Sequence, residues 1–189
     1  RDKRGPQLVM YLKTLSNFLG QEQEAMLKEL TGLTKNVEHI KQIVTMQQSY
    51  AKASGVEEIQ SPVALVEDAL RIHLSSLEKR NVKVIRDYEK VPDIIADKHK
   101  VLQILINLIG NAKYALTESD QQAPQTILGV KANGGTNLYF TVRDNGVGIA
   151  QENLIRIFSH GFTTRKNGHG FGLHSGFLAA KEMGGSLSV

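Results

Sequence analysis

The 189-residue chain contains no cysteine and no tryptophan, and only four prolines. Without cysteine there is no disulfide, no thiolate-bound zinc and no cysteine nucleophile. Charge of one sign is also scarce. Lys and Arg number 23 against 19 Asp and Glu, a net charge of +4, and no run of five basic residues occurs. The pairs Lys79-Arg80 and Arg165-Lys166 and the opening Arg1-Asp2-Lys3-Arg4 are scattered. That pattern reads as a solvated surface, and no nucleic-acid partner is expected. Long apolar runs are missing too: Ile104-Leu105-Ile106 falls far short of the roughly 18 residues of a membrane span, and no signal peptide opens the chain. What is present is ordinary for a globular protein, with 41% hydrophobic and 22% charged residues. At about 150 residues per domain, the length suits one domain with an appendage.

The appendage comes first. Residues 6–54 read as helix, with Pro6 in its first turn and Gly20 as a turn or loose junction. Leu30, Leu33, Val37, Ile40, Val44, Gln47 and Ala51 then repeat at spacings of three and four, one helical stripe that grows more polar toward its end. A lone helix cannot bury such a stripe against itself, so a partner helix is expected, from the same chain or a second copy. Ser54-Gly55 ends the helix, and the division is placed at residues 1–56 and 57–189.

The second part reads as mixed α and β. Ser61 as N-cap and Pro62 at the first helical position open a helix lined by Val63, Val66, Leu70, Leu74 and Leu77. Strands are expected at 82–88 and 94–96. Asp97 caps a helix over 98–116 whose apolar face includes Val101, Leu102, Leu105, Leu108 and Ile109. Residues 126–132 and the alternating Leu138, Phe140 and Val142 form strands joined by the turn Asn133-Gly134-Gly135. A short helix at 153–158, a helix over 172–183 ended by Gly184-Gly185, and a strand at 186–189 complete the reading. The predicted class is α+β: an α/β sandwich with a mixed, largely antiparallel sheet packed on helices.

Three clusters carry chemistry. Asn107 and Asn111 lie four apart on one helix, so their amides share a face; a carboxamide oxygen can coordinate Mg²⁺ and its NH₂ can donate to phosphate. Polar surface is the competing reading. Asp144-Asn145-Gly146-Val147-Gly148 follows a strand; Asp144 can accept from an exocyclic amine, and the glycines admit a flat ring close to the backbone, although a plain Asp-Asn-Gly turn has the same letters. Gly168-His169-Gly170-Phe171-Gly172-Leu173-His174 opens a helix, where bare N–H groups and the helix dipole favour an anion; a flexible loop competes evenly. No G-x-G-x-x-G forms, because Ser175 and Gln151 stand where the third glycine would fall, and no P-loop is present.

The order and spacing of these clusters resemble the N, G1 and G2 boxes of the ATP-binding domain of sensor histidine kinases, in the superfamily that includes gyrase, Hsp90 and MutL (a fold of the Bergerat type). Ile157-Phe158 and Phe162-Thr163-Thr164 look like the intervening F box, and Gly184-Gly185-Ser186-Leu187 fits the family's tail. The resemblance covers residues 61–189. It implies ATP and Mg²⁺ as cofactors, with Asp144 on the adenine amino group, Asn111 on Mg²⁺ and Asn107 near the phosphates. Gly146 and Gly148 would flank the base. Residues 159–169 would form a mobile lid, and Gly168, Gly170, Gly172 and Leu173 would cradle phosphate.

Two departures stand out. Many members carry Lys three residues after the Mg²⁺-binding Asn; here Lys113 is two after it and Tyr114 holds the third place. One residue on a helix turns a side chain by about 100°, so Tyr114 is expected to line the pocket. His174 either touches phosphate or lies on the surface. Arg165 and Lys166 either approach phosphate or are solvated.

Asn107 stands where the superfamily's hydrolases typically place the general-base Glu, four residues before the Mg²⁺-binding Asn. An amide cannot take that proton, so hydrolysis is disfavoured and the γ-phosphoryl group is available for a histidine acceptor. His39, followed by Ile40-Lys41, does not match the acceptor pattern, and His73, His99 and His160 fall inside the nucleotide domain. The acceptor is therefore expected outside these residues, the helical segment is read as the later part of a dimerising hairpin, and the last strand as cut short. The resemblance further implies a homodimer, a response regulator or phosphotransfer protein as partner, and a cytoplasmic location, as a soluble protein or as the inner part of a membrane-anchored sensor. An ATP-operated switch and a non-catalytic nucleotide-binding scaffold are the alternative readings.

Overall fold

The computed structural model describes the backbone of residues 4–51, 56–134, 137–165 and 168–189; in the first stretch, side chains are described for residues 10–34 and 37. The chain divides into two units, Arg1–Ala53 and Ser54–Val189. The expected linker Ser54-Gly55, Gly135 of the hairpin turn, Lys166, and the side chains of His39, Ile40, Val44, Gln47 and Ala51 lie outside the described residues.

The first unit is one helix, α1 (Arg4–Ala51), 48 residues long and so about 72 Å from end to end. It runs unbroken through Gly20, where no turn forms. Glycine in a helix interior costs about 1 kcal/mol relative to alanine, a cost that the many flanking helical hydrogen bonds override. The first residues of the stripe, Leu30, Leu33 and Val37, are 59%, 60% and 57% exposed.

The second unit is built as helices on one face of a sheet. Its elements are β1 (Glu58–Gln60), α2 (Pro62–Glu78), β2 (Lys83–Tyr88), β3 (Ile94–Ala96), α3 (Lys98–Thr117), β4 (Gln125–Ala132), β5 (Leu138–Asp144), a 3₁₀ turn at Gln151–Asn153 and α4 (Gly172–Glu182). β2 pairs in parallel with β4, which pairs antiparallel with β5, in the order β2-β4-β5. β1 and β3 form a separate antiparallel pair. The register places Tyr88, Val130 and Phe140 in one row and Arg86, Leu128 and Val142 in the next. The apolar members of those rows face Leu65, Val66, Ala69 and Leu70 of α2 and Val101, Leu105, Ile109 and Leu116 of α3, which form the core. Each such side chain, fully buried, contributes about 1.5–3 kcal/mol.

The charged member of that face, Arg86, sits at the sheet edge and is satisfied there. Its Nε and Nη2 donate to the Glu67 carboxylate at 2.7 and 3.2 Å, and the Tyr88 hydroxyl donates to the same group at 2.8 Å. The bonded guanidinium holds the Glu67 carboxyl below the usual carboxylate range. Burial, reinforced by Glu67, pushes the Tyr88 phenol up.

Two expected elements differ. The helix expected at 153–158 is a 3₁₀ turn at Gln151–Asn153 continued by single turns, such as Arg156 N–H to the Asn153 carbonyl at 2.8 Å. Residues 186–189 carry no regular element. A strand needs a neighbour's backbone to pair with, and among the described residues none pairs there; Leu187 instead reaches toward Gly176 of α4. Among the described residues no helix is long and apolar enough to cross a membrane.

Candidate functional site

The site is organised on α3, and Asp97 starts that helix. Its Oδ1 accepts from the His99 and Lys100 N–H groups at 2.9 and 3.3 Å, satisfying two donors that the first turn leaves without a partner. One face of α3 is then buried through Val101, Leu105, Ile109, Ala112 and Leu116. That burial fixes the rotation of the helix and carries the stripe Asn107, Asn111 and Ala115, each four residues from the last, toward the loops that follow β5.

Each member of the stripe meets a different segment of the chain after β5. The Asn107 amide NH₂ donates to the Gly172 carbonyl at 3.2 Å, at the first residue of α4. The Asn111 carbonyl oxygen accepts from Nη2 of Arg165. The Ala115 carbonyl accepts from the Val147 N–H at 3.2 Å. The three sequence clusters therefore converge on one helix face about 12 Å long.

Glycine is required at two of these junctions by what surrounds it. A Cβ on Gly146 would lie 2.4 Å from the Ala115 carbonyl carbon, so only glycine lets the loop after β5 rest on α3. The Asp144 carboxylate accepts the Gly146 N–H at 2.9 Å and braces that loop from the end of the strand. Gly170 has φ +70°, and a Cβ there would lie 2.3 Å from the Gly161 carbonyl carbon. The start of the 159–169 loop is thereby packed against the segment that enters α4. Gly172, first in α4, is close enough to Asn107 that a Cβ would come within 3.4 Å of it.

Other predicted residues fall as follows. Gly148 has φ +69° and open space around it. Leu173 is half-buried in the first turn of α4. His174 pairs through Nδ1 with the Phe158 carbonyl at 2.8 Å, and its ring meets that of His160 edge-on at 5.1 Å; it ties α4 to the loop before it. Lys113 lies near enough to His73 on α2 that its charge adds, as a lesser cause, to burial in lowering the imidazole's proton affinity. Tyr114, at the position one further along, carries the Arg165 guanidinium over its ring at 4.2 Å. Gly168 stands in a turn with Arg165, its N–H donating to the Arg165 carbonyl at 3.1 Å. Ala115 and Gly161 were not singled out from the sequence. Continuing the four-residue spacing from Asn107 and Asn111 would have found the first; nothing local marks the second.

Residues 96–189 match the model of a family described as histidine kinase-, DNA gyrase B-, and HSP90-like ATPase. This part of the chain belongs to that family. It is an ATP-binding domain of the histidine kinase type. The chain is 26% identical to sensor histidine kinase ZraS of Escherichia coli (strain K12) over 171 residues, covering 89% of this chain and 34% of that protein. It is 30% identical to sensory histidine kinase/phosphatase NtrB of Rhizobium meliloti (strain 1021) over 129 residues, covering 60% of this chain and 33% of NtrB. The chain thus spans about a third of the length of these relatives. The fold is shared with the catalytic domain of histidine kinase ThkA, at a TM-score of 0.58 and 22% identity over 67% of this chain and 81% of that one. It is also shared with full-length ShkA in complex with AMPPNP, at a TM-score of 0.63 and 23% identity over 77% of this chain and 31% of that one.

Proposed function

We propose that this chain is the ATP-binding catalytic region of a two-component sensor histidine kinase, which passes the ATP γ-phosphoryl group to a histidine outside the 189 residues. The observation that carries the reading is the convergence of two loop segments and the start of α4 on Asn107, Asn111 and Ala115 of α3. That arrangement sets an amide oxygen, a carboxylate-braced turn and a glycine-rich helix start around one helix face. The Asp144 carboxylate would take the adenine amino group and the space beside Gly146 and Gly148 the ring. Tyr114 would line the same pocket. Backbone N–H groups at Gly168, Gly170, Gly172 and Leu173, with His174 beside them, would face the phosphates.

The donor set fits Mg²⁺. The Asn111 oxygen already accepts a cation's hydrogen bond, from Arg165. An ion held by one protein oxygen, with phosphate oxygens and water completing its shell, suits Mg²⁺. When bound there, the ion would neutralise charge on the phosphates. Asn107 cannot serve as a general base, and its NH₂ is committed to Gly172. The site therefore positions the phosphoryl group without activating a water for attack on it.

The exposed stripe of α1 would pair with a second copy, giving a homodimer, and the phosphoryl group would leave through a response regulator or phosphotransfer protein in the cytoplasm. Isothermal titration of ATP with and without Mg²⁺ tests the binding half: Asp144→Ala should lose at least tenfold in affinity, a change of about 1.4 kcal/mol. Unchanged affinity removes Asp144 from the adenine role. Labelled ATP tests the chemistry: label should move to a supplied acceptor-helix domain, and rapid phosphate release without transfer would overturn the kinase reading in favour of a switch.

A further inference from the structure

We propose that Arg165 and Mg²⁺ compete for the Asn111 carbonyl oxygen, so that Arg165 docking and metal-nucleotide binding oppose one another there. The proposal rests on the ATP and Mg²⁺ reading above and adds a competition that the reading does not contain.

Four observations carry it. The Arg165 side chain reaches back onto α3, where Nη2 donates to the Asn111 carbonyl oxygen and the guanidinium lies 4.2 Å from the Tyr114 ring centroid. The seat is partly shielded from water: Arg165 is half-buried. The seat is also neutral. Among the described residues no carboxylate pairs with Arg165, whereas Arg71, Arg86, Lys98, Lys100 and Lys131 each have one. Finally, the backbone aims the side chain. The Thr163 hydroxyl accepts the Arg165 N–H at 3.1 Å, and the Gly168 N–H donates to the Arg165 carbonyl at 3.1 Å. A Cβ on Gly168 would lie 2.3 Å from that hydroxyl and 2.8 Å from the Arg165 Cβ, so this turn needs its glycine.

An arginine that only stapled a loop to a helix would gain most from a carboxylate, because a charged partner offsets its desolvation. An amide oxygen and an aromatic face hold a guanidinium more weakly. They leave it open to displacement by a divalent ion at the same oxygen. Asn111 serves both poorly: its carbonyl oxygen has two lone pairs, but Mg²⁺ at about 2.1 Å on one would stand close to the guanidinium on the other, and two cations on one oxygen repel. Tyr114 has a defined part in this scheme. Three residues after Asn111 on the helix, its ring receives a cation from the loop.

The test uses the full chain, with ADP as the probe so that contacts to a γ-phosphate do not enter. Arg165→Met keeps the unbranched stem of the side chain and removes the charged head. Titrated with ADP, it should show Mg²⁺-dependent affinity tighter than wild type by roughly three- to tenfold (about 0.7–1.4 kcal/mol). Its affinity in EDTA should change by less than about twofold, since without metal there is no competition for Asn111. A second readout uses the unmutated protein. The Arg165 Nε–H resonance should be shifted upfield by the Tyr114 ring in the nucleotide-free state and should lose that shift on adding Mg²⁺ with ADP. An unaltered Arg165 resonance in saturated protein, or Mg²⁺-dependent affinity unchanged or weakened in Arg165→Met, overturns the competition while leaving the nucleotide reading intact. Failure of wild-type protein to bind ADP with any Mg²⁺ dependence overturns both.

Discussion

Gly146→Ala isolates the contact that seats the loop after β5 on α3. The added Cβ would lie 2.4 Å from the Ala115 carbonyl carbon, 2.6 Å from its oxygen and 2.8 Å from its Cβ, about 1 Å short of the 3.4 Å at which ordinary contact begins. Both partners include backbone, so no rotamer change relieves the clash. The loop or the helix must move, and the Val147 N–H to Ala115 carbonyl bond at 3.2 Å is the first thing lost. Overpacking costs about 1–3 kcal/mol and the broken bond about 1 kcal/mol, so the variant should lose about 2–4 kcal/mol. Gly148→Ala is the control. It sits two residues on, in open space but at φ +69°. A left-handed alanine costs about 1–2 kcal/mol, offset by about 0.4–1 kcal/mol from the stiffer unfolded chain. Amide exchange at Leu128 and Val130, buried in β4, reports the opening of this unit in the full-length chain. A Gly146→Ala loss below about 1 kcal/mol, or no greater than that of Gly148→Ala, would refute the steric argument.

Two further predictions use the same measurement. Asp97→Ala should cost about 1 kcal/mol, because its carboxylate accepts two N–H groups of α3, whereas Ser61→Ala should be close to neutral, because Ser61 makes no side-chain cap bond to α2. Burial between α2 and α3, with Lys113 adding a repulsive charge, lowers the His73 proton affinity, while its Nε2 bonds the Ile106 carbonyl at 3.1 Å and opposes the shift. The folded state then prefers neutral imidazole. His73 contributes its stability in full above the unfolded value of about 6.5 and loses it as pH falls through the lower folded value. Stability should therefore drop as pH falls below about 6.5 in wild type and drop less in His73→Gln; equal slopes in the two proteins would show that His73 is not the group responsible.

The elements that could be read from the sequence are those whose cause is local. Asp97 announces α3 because a carboxylate before an apolar helical face has one energetically favoured use, and it makes both expected bonds. The alternation of Leu138, Phe140 and Val142 against Tyr139, Thr141 and Arg143 predicts which face of β5 is covered, and the covered residues pack on the core. Features that depend on distant partners were not legible. β1 is three residues long and exists only because Glu58–Gln60 pairs with Ile94–Ala96, some 35 residues away. Residues 186–189 have strand-like composition and no strand to pair with among the described residues. Ser61 has the residue type of a cap without the bond, since Pro62 supplies the preset first turn.

The site divides along the same line, and the division explains Lys113 and Tyr114. Spacing alone places Asn107 and Asn111 on one face and Lys113 off it, because helix rotation is a local property. Spacing cannot say what occupies the far side of that face. The structure answers with Arg165, 54 residues from Asn111 and brought there by the turn at Thr163 and Gly168. Lys113 lies off that face, near enough to His73 for its charge to be felt there, and the cation beside Asn111 comes from elsewhere in the chain. A loop residue can leave that position in a way that a helix residue, fixed by the burial of Leu105 and Ile109, cannot. Carrying the cation on the loop therefore makes the charge at Asn111 exchangeable, and the rigidity of α3 is what makes the exchange specific to that one oxygen.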